Sequence, residues 1–269
     1  MKRNLFFYLL CLIFAGIAIF SAYKIVSAMR EYKAGEEAYE QLQQYLYIPE
    51  TTQSAEKVET TEVPGETEGT APVEETVPAP RYKYEGPMVD FDALLDINED
   101  VVGWIYLEDS KVNFPIAQGK DNKEYLYWLI DGNYNGAGTP FMDYRNSRDF
   151  SDRHTIIYGH NMNNGSMFAD IHKYVNQEFY DSHPVIWLLT PQGNLCMEIF
   201  AGYITKTGVD AWDIYFDSDE GFENWLENAL EKSAFESPVV PTVQDRIVTL
   251  STCSNSANQT RFVLLGVIR

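Results

Sequence analysis

The fold of this chain is decided by Thr249-Leu-Ser-Thr-Cys253, which closes an apolar, β-branched run. The composition of that run predicts a β-strand over Ile247 to Thr252. The polar residues Ser254 to Gln259 predict a loop, and Phe262 to Ile268 predicts a returning strand. Such a hairpin brings the thiol at the end of the first strand close to the guanidinium of Arg261, which directly precedes the second strand.

A second short β run, Thr155-Ile-Ile-Tyr-Gly-His160, ends in a histidine. A thiol, an imidazole and a permanent cation therefore each lie at the end of a predicted strand, and these are the parts of a cysteine acyl-transfer site. A thiol attacks as thiolate, and an ordinary pKa of about 8.5 leaves a small anionic fraction at neutral pH. We expect His160 to hold Cys253 as an ion pair, or to act as the acid and then the base of the reaction. Arg261 stays protonated, so we expect it to hold the substrate and stabilise the carbonyl oxygen.

The rest of the carboxyl-terminal region is dominated by short β runs. Helices are predicted over Asp90 to Asp96, Ser166 to Tyr174 and Gly221 to Lys232, and in the last of these the apolar residues follow helical spacing, which indicates core packing. Eight short strands with few long helices predict a closed or sandwiched β architecture. The predicted strands are Trp104 to Leu107, Val112 to Ala117, Thr139 to Met142, Thr155 to Tyr158, Val185 to Leu189, Cys196 to Ile204, Ile247 to Thr252 and Phe262 to Ile268.

Four motifs follow one another along the chain: Asn98-Glu-Asp-Val-Val-Gly-Trp-Ile105, Phe141-Met-Asp-Tyr-Arg-Asn146, Tyr158-Gly-His-Asn-Met-Asn-Asn-Gly-Ser-Met-Phe168, and Thr249-Leu-Ser-Thr-Cys253 with Arg261 downstream. In this order they resemble the motifs of the sortases, and within them class B. The resemblance covers roughly Val89 to Arg269. It implies a mainly β fold, a closed eight-stranded sortase-type barrel with helical insertions, in which the stretch Asp213 to Phe235 resembles the helix-bearing connection between the sixth and seventh strands.

The resemblance implies a cysteine transpeptidase that cleaves a carboxyl-terminal sorting motif of secreted proteins after a threonine. The acyl group would form a thioester on Cys253 and pass to a peptidoglycan amine or to a lysine of another protein. Two alternatives stay open from the residues: a thiol protease, in which water resolves the thioester, and a non-catalytic surface binding module. The catalytic residues implied are Cys253, His160 and Arg261, with Ser251 and Thr252 as substrate contacts.

Asn255 and Asn258 are two further candidates near the nucleophile, because an asparagine orients the catalytic imidazole in papain-like enzymes. Of the remaining histidines, we expect His154, His172 and His183 to be surface or structural residues. The histidines and cysteines lack metal-ligand spacing, so no metal site and no cofactor are expected.

The amino-terminal region predicts an anchor and a spacer. Leu5 to Val26 is long and apolar enough to cross a bilayer as a helix. A cleaved signal peptide is the alternative, but its apolar part would be shorter. Glu31 to Tyr47 has helical composition, and Pro49 to Pro80 has the Thr, Glu and Pro content of a disordered spacer.

These segments predict three parts of the chain. Residues 1–28 form a cytoplasmic tip and transmembrane signal anchor, residues 29–87 a juxtamembrane helix and acidic spacer, and residues 88–269 the catalytic domain. Because Lys2 and Arg3 precede the apolar run, we expect a single-pass cell-membrane protein with a cytoplasmic amino terminus and an extracellular catalytic domain.

Charge and cysteine content narrow the function classes. The formal net charge of the 269 residues is -20, which argues against nucleic acid as a partner. Three cysteines do not indicate a disulfide framework. Cys196 falls in a predicted strand and is expected to be a buried, inert thiol.

Overall fold

The amino-terminal helix is longer than the sequence predicted. The computed structural model describes residues 2–47, 82, 84, 86–208, 210–253 and 260–269. Helix α1 spans Lys2–Leu42 and ends in a 3₁₀ turn, Gln43–Tyr45. The predicted apolar segment and residues 31–42 of the predicted juxtamembrane helix form one helix, because no proline occurs in either of them. Residues 43–47, predicted as helix, are not α-helical. Helix α1 is long and apolar enough to cross a membrane, a property that it shares with signal sequences.

A short sheet joins the end of this helix to the start of the barrel. Strand β1 (Leu46–Tyr47) pairs antiparallel with β2 (Met88–Val89), a contact that the sequence did not predict. Helix α2 (Phe91–Ile97) follows, close to its predicted position, and its N-cap Asp90 accepts a hydrogen bond from a backbone N–H of the first turn. The spacer predicted over 49–80 lies outside the described residues.

Eight strands close into a barrel, which confirms the predicted fold class. Around the barrel the strand order is β10-β8-β7-β3-β4-β5-β6-β9, and β9 pairs with β10 to complete it. The pairs β4·β5 and β6·β9 are parallel, and the other pairs are antiparallel. The strands are β3 (Val101–Tyr106), β4 (Asn113–Ala117), β5 (Phe141–Met142), β6 (His154–His160), β7 (Val185–Thr190), β8 (Gly193–Lys206), β9 (Ile247–Cys253) and β10 (Thr260–Ile268).

The insertion after β6 differs from its prediction. In place of one helix over Ser166 to Tyr174, a 3₁₀ helix spans Asp170–Val175, and helix α3 spans Gln177–Ser182. Gly165 and Met167 adopt positive φ angles of 78° and 58°, which no α-helix contains, so the helical segment begins only after them.

The second insertion covers the outside of the barrel. Helix α4 spans Asp219–Lys232 between β8 and β9, which are the sixth and seventh barrel strands. Ser218 caps it by accepting a hydrogen bond from the N–H of Gly221 over 3.1 Å. The predicted core packing of its apolar face is confirmed, because that face is buried against β8 in a cluster that also contains residues of β9 and β10. The buried residues of this face are Phe222, Trp225, Leu226 and Ala229.

Candidate active site

The parallel pair β6·β9 brings the two central candidates together. Each residue from His154 to His160 pairs with one from Ile247 to Cys253, and the last pair is His160 with Cys253. Both strands end at this pair, and neighbouring strands lie about 4.8 Å apart. The backbone of the predicted nucleophile therefore lies beside the backbone of the predicted acid and base.

Arg261 lies on the next strand, beside the same strand ends. In the antiparallel pair β9·β10, Ser251 pairs with Val263, and this register continued by two residues puts Arg261 opposite Cys253. On its other side Arg261 pairs with Thr205 of β8. Its positive charge acts on His160 and lowers the pKa of that imidazole. The fold thus brings all three predicted catalytic positions to one edge of the barrel.

The imidazole of His160 is held by a backbone carbonyl. Its Nε2 lies 2.8 Å from the carbonyl oxygen of Leu126. A carbonyl oxygen only accepts, so Nε2 carries the proton of this hydrogen bond and Nδ1 is the nitrogen left for proton exchange in the neutral ring. Burial lowers the pKa of His160 most, and the bond to Leu126 opposes that shift.

The Leu126 carbonyl was missed by sequence reasoning, which named Asn255 and Asn258 as candidates for orienting the ring. Both asparagines lie outside the described residues. Every residue carries a backbone carbonyl, so no residue type at position 126 could have indicated this contact.

Gly159, next to the histidine, is required by packing. A Cβ atom at this position would lie 2.5 Å from the ring of Phe168, and Phe168 is fully buried. The backbone N–H of Phe168 donates to the carbonyl oxygen of His160 over 2.8 Å. The Tyr-Gly-His sequence and the phenylalanine eight residues after His160 are therefore parts of one packed unit that fixes the end of β6.

The two predicted substrate contacts have intramolecular partners. Ser251 is buried, and its Oγ accepts a hydrogen bond of 3.1 Å from Nε1 of Trp212. Thr252 is buried, and its Oγ1 lies 3.1 Å from the backbone nitrogen of Phe262 and 3.2 Å from its carbonyl oxygen. Both hydroxyls thus stabilise the end of β9, and a substrate role for either residue stays a prediction.

The motif Phe141-Met-Asp-Tyr-Arg-Asn146 contributes a buried carboxylate beneath β6. The side chain of Asp143 accepts hydrogen bonds from the side chains of Asn122, Arg145 and Tyr158. Burial alone would raise the pKa of Asp143, but these bonds outweigh it and lower the pKa. The carboxylate ties the loop before β6 to the strand that ends in His160.

Cys196 and His154 occupy different surroundings from the predicted catalytic pair. Cys196 is buried in β8, and burial raises the pKa of its thiol to about 12, which makes it inert as predicted. His154 is also fully buried, with Nδ1 2.6 Å from the carbonyl oxygen of Asp213 and Nε2 2.7 Å from Oγ1 of Thr249. Among the described residues, no group of three histidine, cysteine or acidic side chains could hold a metal ion.

Comparisons with known proteins agree on one family. Sortase B of Listeria monocytogenes is 39% identical over 175 residues, which cover 64% of this chain and 71% of that protein. Sortase B of Staphylococcus aureus is 35% identical over 180 residues, covering 66% and 74%. A scan of protein-family models gave no match.

Solved structures agree with the sequence relatives. The Staphylococcus aureus sortase B-substrate complex has a TM-score of 0.65 at 34% identity, over 66% of this chain and 84% of that one. Sortase B from Bacillus anthracis in complex with AAEK1 has a TM-score of 0.69 at 31% identity, over 89% of this chain and 98% of that one. The chain therefore belongs to the sortase B family and is a cysteine transpeptidase.

Proposed function

We propose that this enzyme is anchored in the cell membrane and cuts a carboxyl-terminal sorting signal of secreted proteins after a threonine. It then joins the new carboxyl terminus to a peptidoglycan amine. The observation that carries the proposal is the pairing of His160 with Cys253 at adjacent strand ends. A substrate complex of Staphylococcus aureus sortase B and a sortase B complexed with triglycine support the substrate and acceptor classes.

The first half-reaction forms a thioester. The Cys253 thiolate attacks the threonine carbonyl carbon, a C–S bond forms, and the carbonyl electrons move to oxygen. Arg261 stabilises the resulting oxyanion. Collapse of this intermediate breaks the C–N bond, and protonated His160 gives its Nδ1 proton to the leaving amine.

The second half-reaction runs through the same groups in reverse. Neutral His160 takes a proton from the incoming amine at Nδ1, while Nε2 stays bound to the Leu126 carbonyl. The amine nitrogen attacks the thioester carbon, a C–N bond forms, and the C–S bond breaks. The thiolate is restored, and His160 again carries the proton needed for the next acylation.

Protonation limits how much of the enzyme is active. Acylation needs a thiolate together with an imidazolium, yet burial and Arg261 lower the pKa of His160 and so favour the neutral ring. An unperturbed cysteine thiol has a pKa of about 8.5, so few thiols ionise at neutral pH without a stabilising partner. The active ion pair is therefore a minor population at neutral pH, and its size caps the turnover rate.

Helix α1 supplies the proposed anchor. Its side chains from Phe6 to Arg30 are exposed, and most are apolar. We propose that Lys2 and Arg3 keep the amino terminus in the cytoplasm while the barrel lies outside. In this arrangement residues 1–28 anchor the chain, residues 29–87 connect, and residues 88–269 catalyse.

The test is intact-mass spectrometry of the full chain in detergent micelles, mixed with peptides of the Asn-Pro-x-Thr and Pro-x-Thr-Gly types. We expect an adduct with the mass of the acyl fragment, absent from Cys253→Ala and retained in the matched Cys196→Ala variant. Triglycine should convert the adduct into a ligated peptide. An adduct that persists in Cys253→Ala, or none across both peptide types, would overturn the proposal.

A further inference from the structure

Three exposed aromatic side chains cluster on a small hairpin beside the site. Tyr127, Trp128 and Tyr134 are 46%, 44% and 65% exposed. The centroid of the Tyr134 ring lies 6.0 Å from that of Tyr127 and 5.7 Å from that of Trp128. The hairpin is closed by the Trp128–Tyr134 bridge and by a bond from the N–H of Asn135 to the carbonyl of Tyr127. We call residues 127–135 the aromatic hairpin. Clustered rings in water usually mark a contact surface.

The base of the aromatic hairpin is fastened to helix α1. Nδ2 of Asn135 donates to the carbonyl oxygen of Glu31 over 2.9 Å, and the N–H of Gly136 donates to the Glu31 carboxylate over 2.8 Å. Gly35, one turn further along the helix, lies close against the Asn135 side chain. These contacts therefore fix the position of the aromatic hairpin along the axis of α1.

That position falls at the membrane surface if α1 is the anchor. The long apolar run of the helix ends at Val26, and Glu31 follows five residues later. At 1.5 Å per residue the two lie about 7.5 Å apart along the axis. The headgroup layer on each side of a hydrocarbon core is roughly 5 to 7 Å thick. The hairpin base thus lies at the outer boundary of the headgroups.

The chemistry of the hairpin suits this layer. Tryptophan and tyrosine rings concentrate at membrane interfaces, where an apolar ring and a polar N–H or O–H are both accommodated. The hairpin carries no lysine or arginine, and its Asp131 is exposed and bound to Asn133. An attraction to anionic lipids would need basic residues, so the contact expected here is made by the rings.

We propose that Trp128 and Tyr134 insert into the headgroup layer of the outer leaflet and form a second attachment of the barrel to the membrane. This inference rests on the membrane anchor of the proposed function. The ring of Tyr127 lies 6.2 Å from that of His160, so the hairpin turns the catalytic edge of the barrel toward the bilayer. Substrates held at the membrane surface would then meet the site without crossing the barrel.

The experiment places the full chain in phosphatidylcholine vesicles with bromine on the acyl carbons nearest the headgroups, and measures tryptophan fluorescence. Bromine quenches only nearby indoles. Trp104, Trp187 and Trp225 are buried, and Trp212 is half-buried against the cluster that contains the apolar face of α4. We expect quenching of the wild type to fall at least twofold in Trp128→Phe.

A matched control introduces an exposed indole near the end of β6 that lies opposite the catalytic edge. Tyr215 is exposed next to Phe216, whose ring lies 6.4 Å from that of His154. His154 and His160 are six residues apart on one strand, or roughly 20 Å. The double variant Trp128→Phe, Tyr215→Trp should therefore gain fluorescence without regaining quenching.

The outcomes separate the hairpin from the anchor. Equal quenching of wild type and Trp128→Phe, in protein that floats with the vesicles and ligates triglycine, would overturn the hairpin contact and leave the proposed function intact. A chain that does not float with vesicles would overturn both the anchor and the contact. If Trp128→Ala raised the KM for soluble peptide in detergent, and Trp128→Phe showed no loss of quenching, the hairpin would line the substrate groove and would not contact the membrane.

Discussion

Nε2 of His160 and the carbonyl oxygen of Leu126 are joined across 2.8 Å, which fixes the tautomer of the neutral imidazole. We expect ¹⁵N NMR of histidine-labelled enzyme to report a protonated Nε2 and a titration midpoint below 6.5. Because the charge of Arg261 lowers this pKa, Arg261→Gln should raise the midpoint. A neutral ring protonated at Nδ1, or a lower midpoint in Arg261→Gln, would contradict this assignment.

Arg261→Lys should leave the fold intact and remove most activity. A guanidinium presents a planar fork of donors, whereas an ammonium is a point charge on a flexible stem. Losing one aligned oxyanion donor lowers kcat by on the order of a hundredfold. Steady-state ligation kinetics, with circular dichroism as the control for folding, measure the effect. Turnover near that of the wild type in Arg261→Lys would remove Arg261 from the mechanism.

Tyr39 connects helix α1 to the carbonyl that orients the histidine. Its hydroxyl donates to the carbonyl oxygen of Gly138, and a Cβ atom at Gly138 would lie only 2.6 Å from the Leu126 carbonyl oxygen. Removing the hydroxyl in Tyr39→Phe keeps the ring packed against Phe114 but frees this loop. We expect a loss of about 1 kcal/mol in stability and a severalfold lower kcat at unchanged KM.

The matched control for this variant is Tyr23→Phe, which changes an exposed tyrosine on the same helix. Peptide ligation kinetics and thermal unfolding of both variants give the comparison. Identical kcat values for Tyr39→Phe and Tyr23→Phe would show that the helix does not influence His160 through this loop.

Gly159→Ala should disturb the end of β6. The added methyl group would overlap the buried Phe168 ring, and overpacking of this kind costs about 1 to 3 kcal/mol. We expect lower thermal stability and lower activity, with part of the stability recovered in the double variant Gly159→Ala, Phe168→Leu. Gly221→Ala is the control, since its Cβ would meet only ordinary contacts in α4. Additive effects of the two changes would contradict direct packing between these positions.

His154 makes stability depend on pH. Burial lowers its pKa to about 4, whereas an unfolded chain has the ordinary value of about 6.5. Between these values the unfolded state binds more protons, so stability is full above pH 6.5 and falls as the pH drops toward 4. The expected loss is on the order of 3 kcal/mol.

Urea unfolding at several pH values tests this effect of His154. The slope over pH 4 to 6.5 should become shallower in His154→Gln and persist in the control His172→Gln. A wild-type slope retained in His154→Gln would assign the pH dependence to other groups.

Much of the barrel could be predicted because residue type carries the signal. The β-branched run that ends at Cys253 forms a strand through its composition, and all eight predicted runs became barrel strands. Position relative to the strand ends also suggested that His160 and Arg261 would meet the nucleophile. The strand register pairs His160 with Cys253 and, continued by two residues, puts Arg261 opposite Cys253 on the other side.

Other features depend on contacts between distant parts of the chain. The hydrogen bond between Trp212 and Ser251 joins residues 39 positions apart, and that between Tyr39 and Gly138 joins residues 99 apart. No local pattern predicts such partners. The continuity of α1 was missed for a different reason, because composition separated an apolar half from a polar half although the backbone favours a helix through both.

The central claim is that an amine, and not water, resolves the thioester on Cys253. The most direct measurement is the ratio of ligated to hydrolysed peptide as the triglycine concentration is raised. The peptide concentration is held fixed, and the full chain is kept in detergent micelles. The ligated product should grow with the triglycine concentration until it dominates, and both products should vanish in Cys253→Ala. A product distribution that triglycine leaves unchanged, with hydrolysis alone, would contradict the central claim.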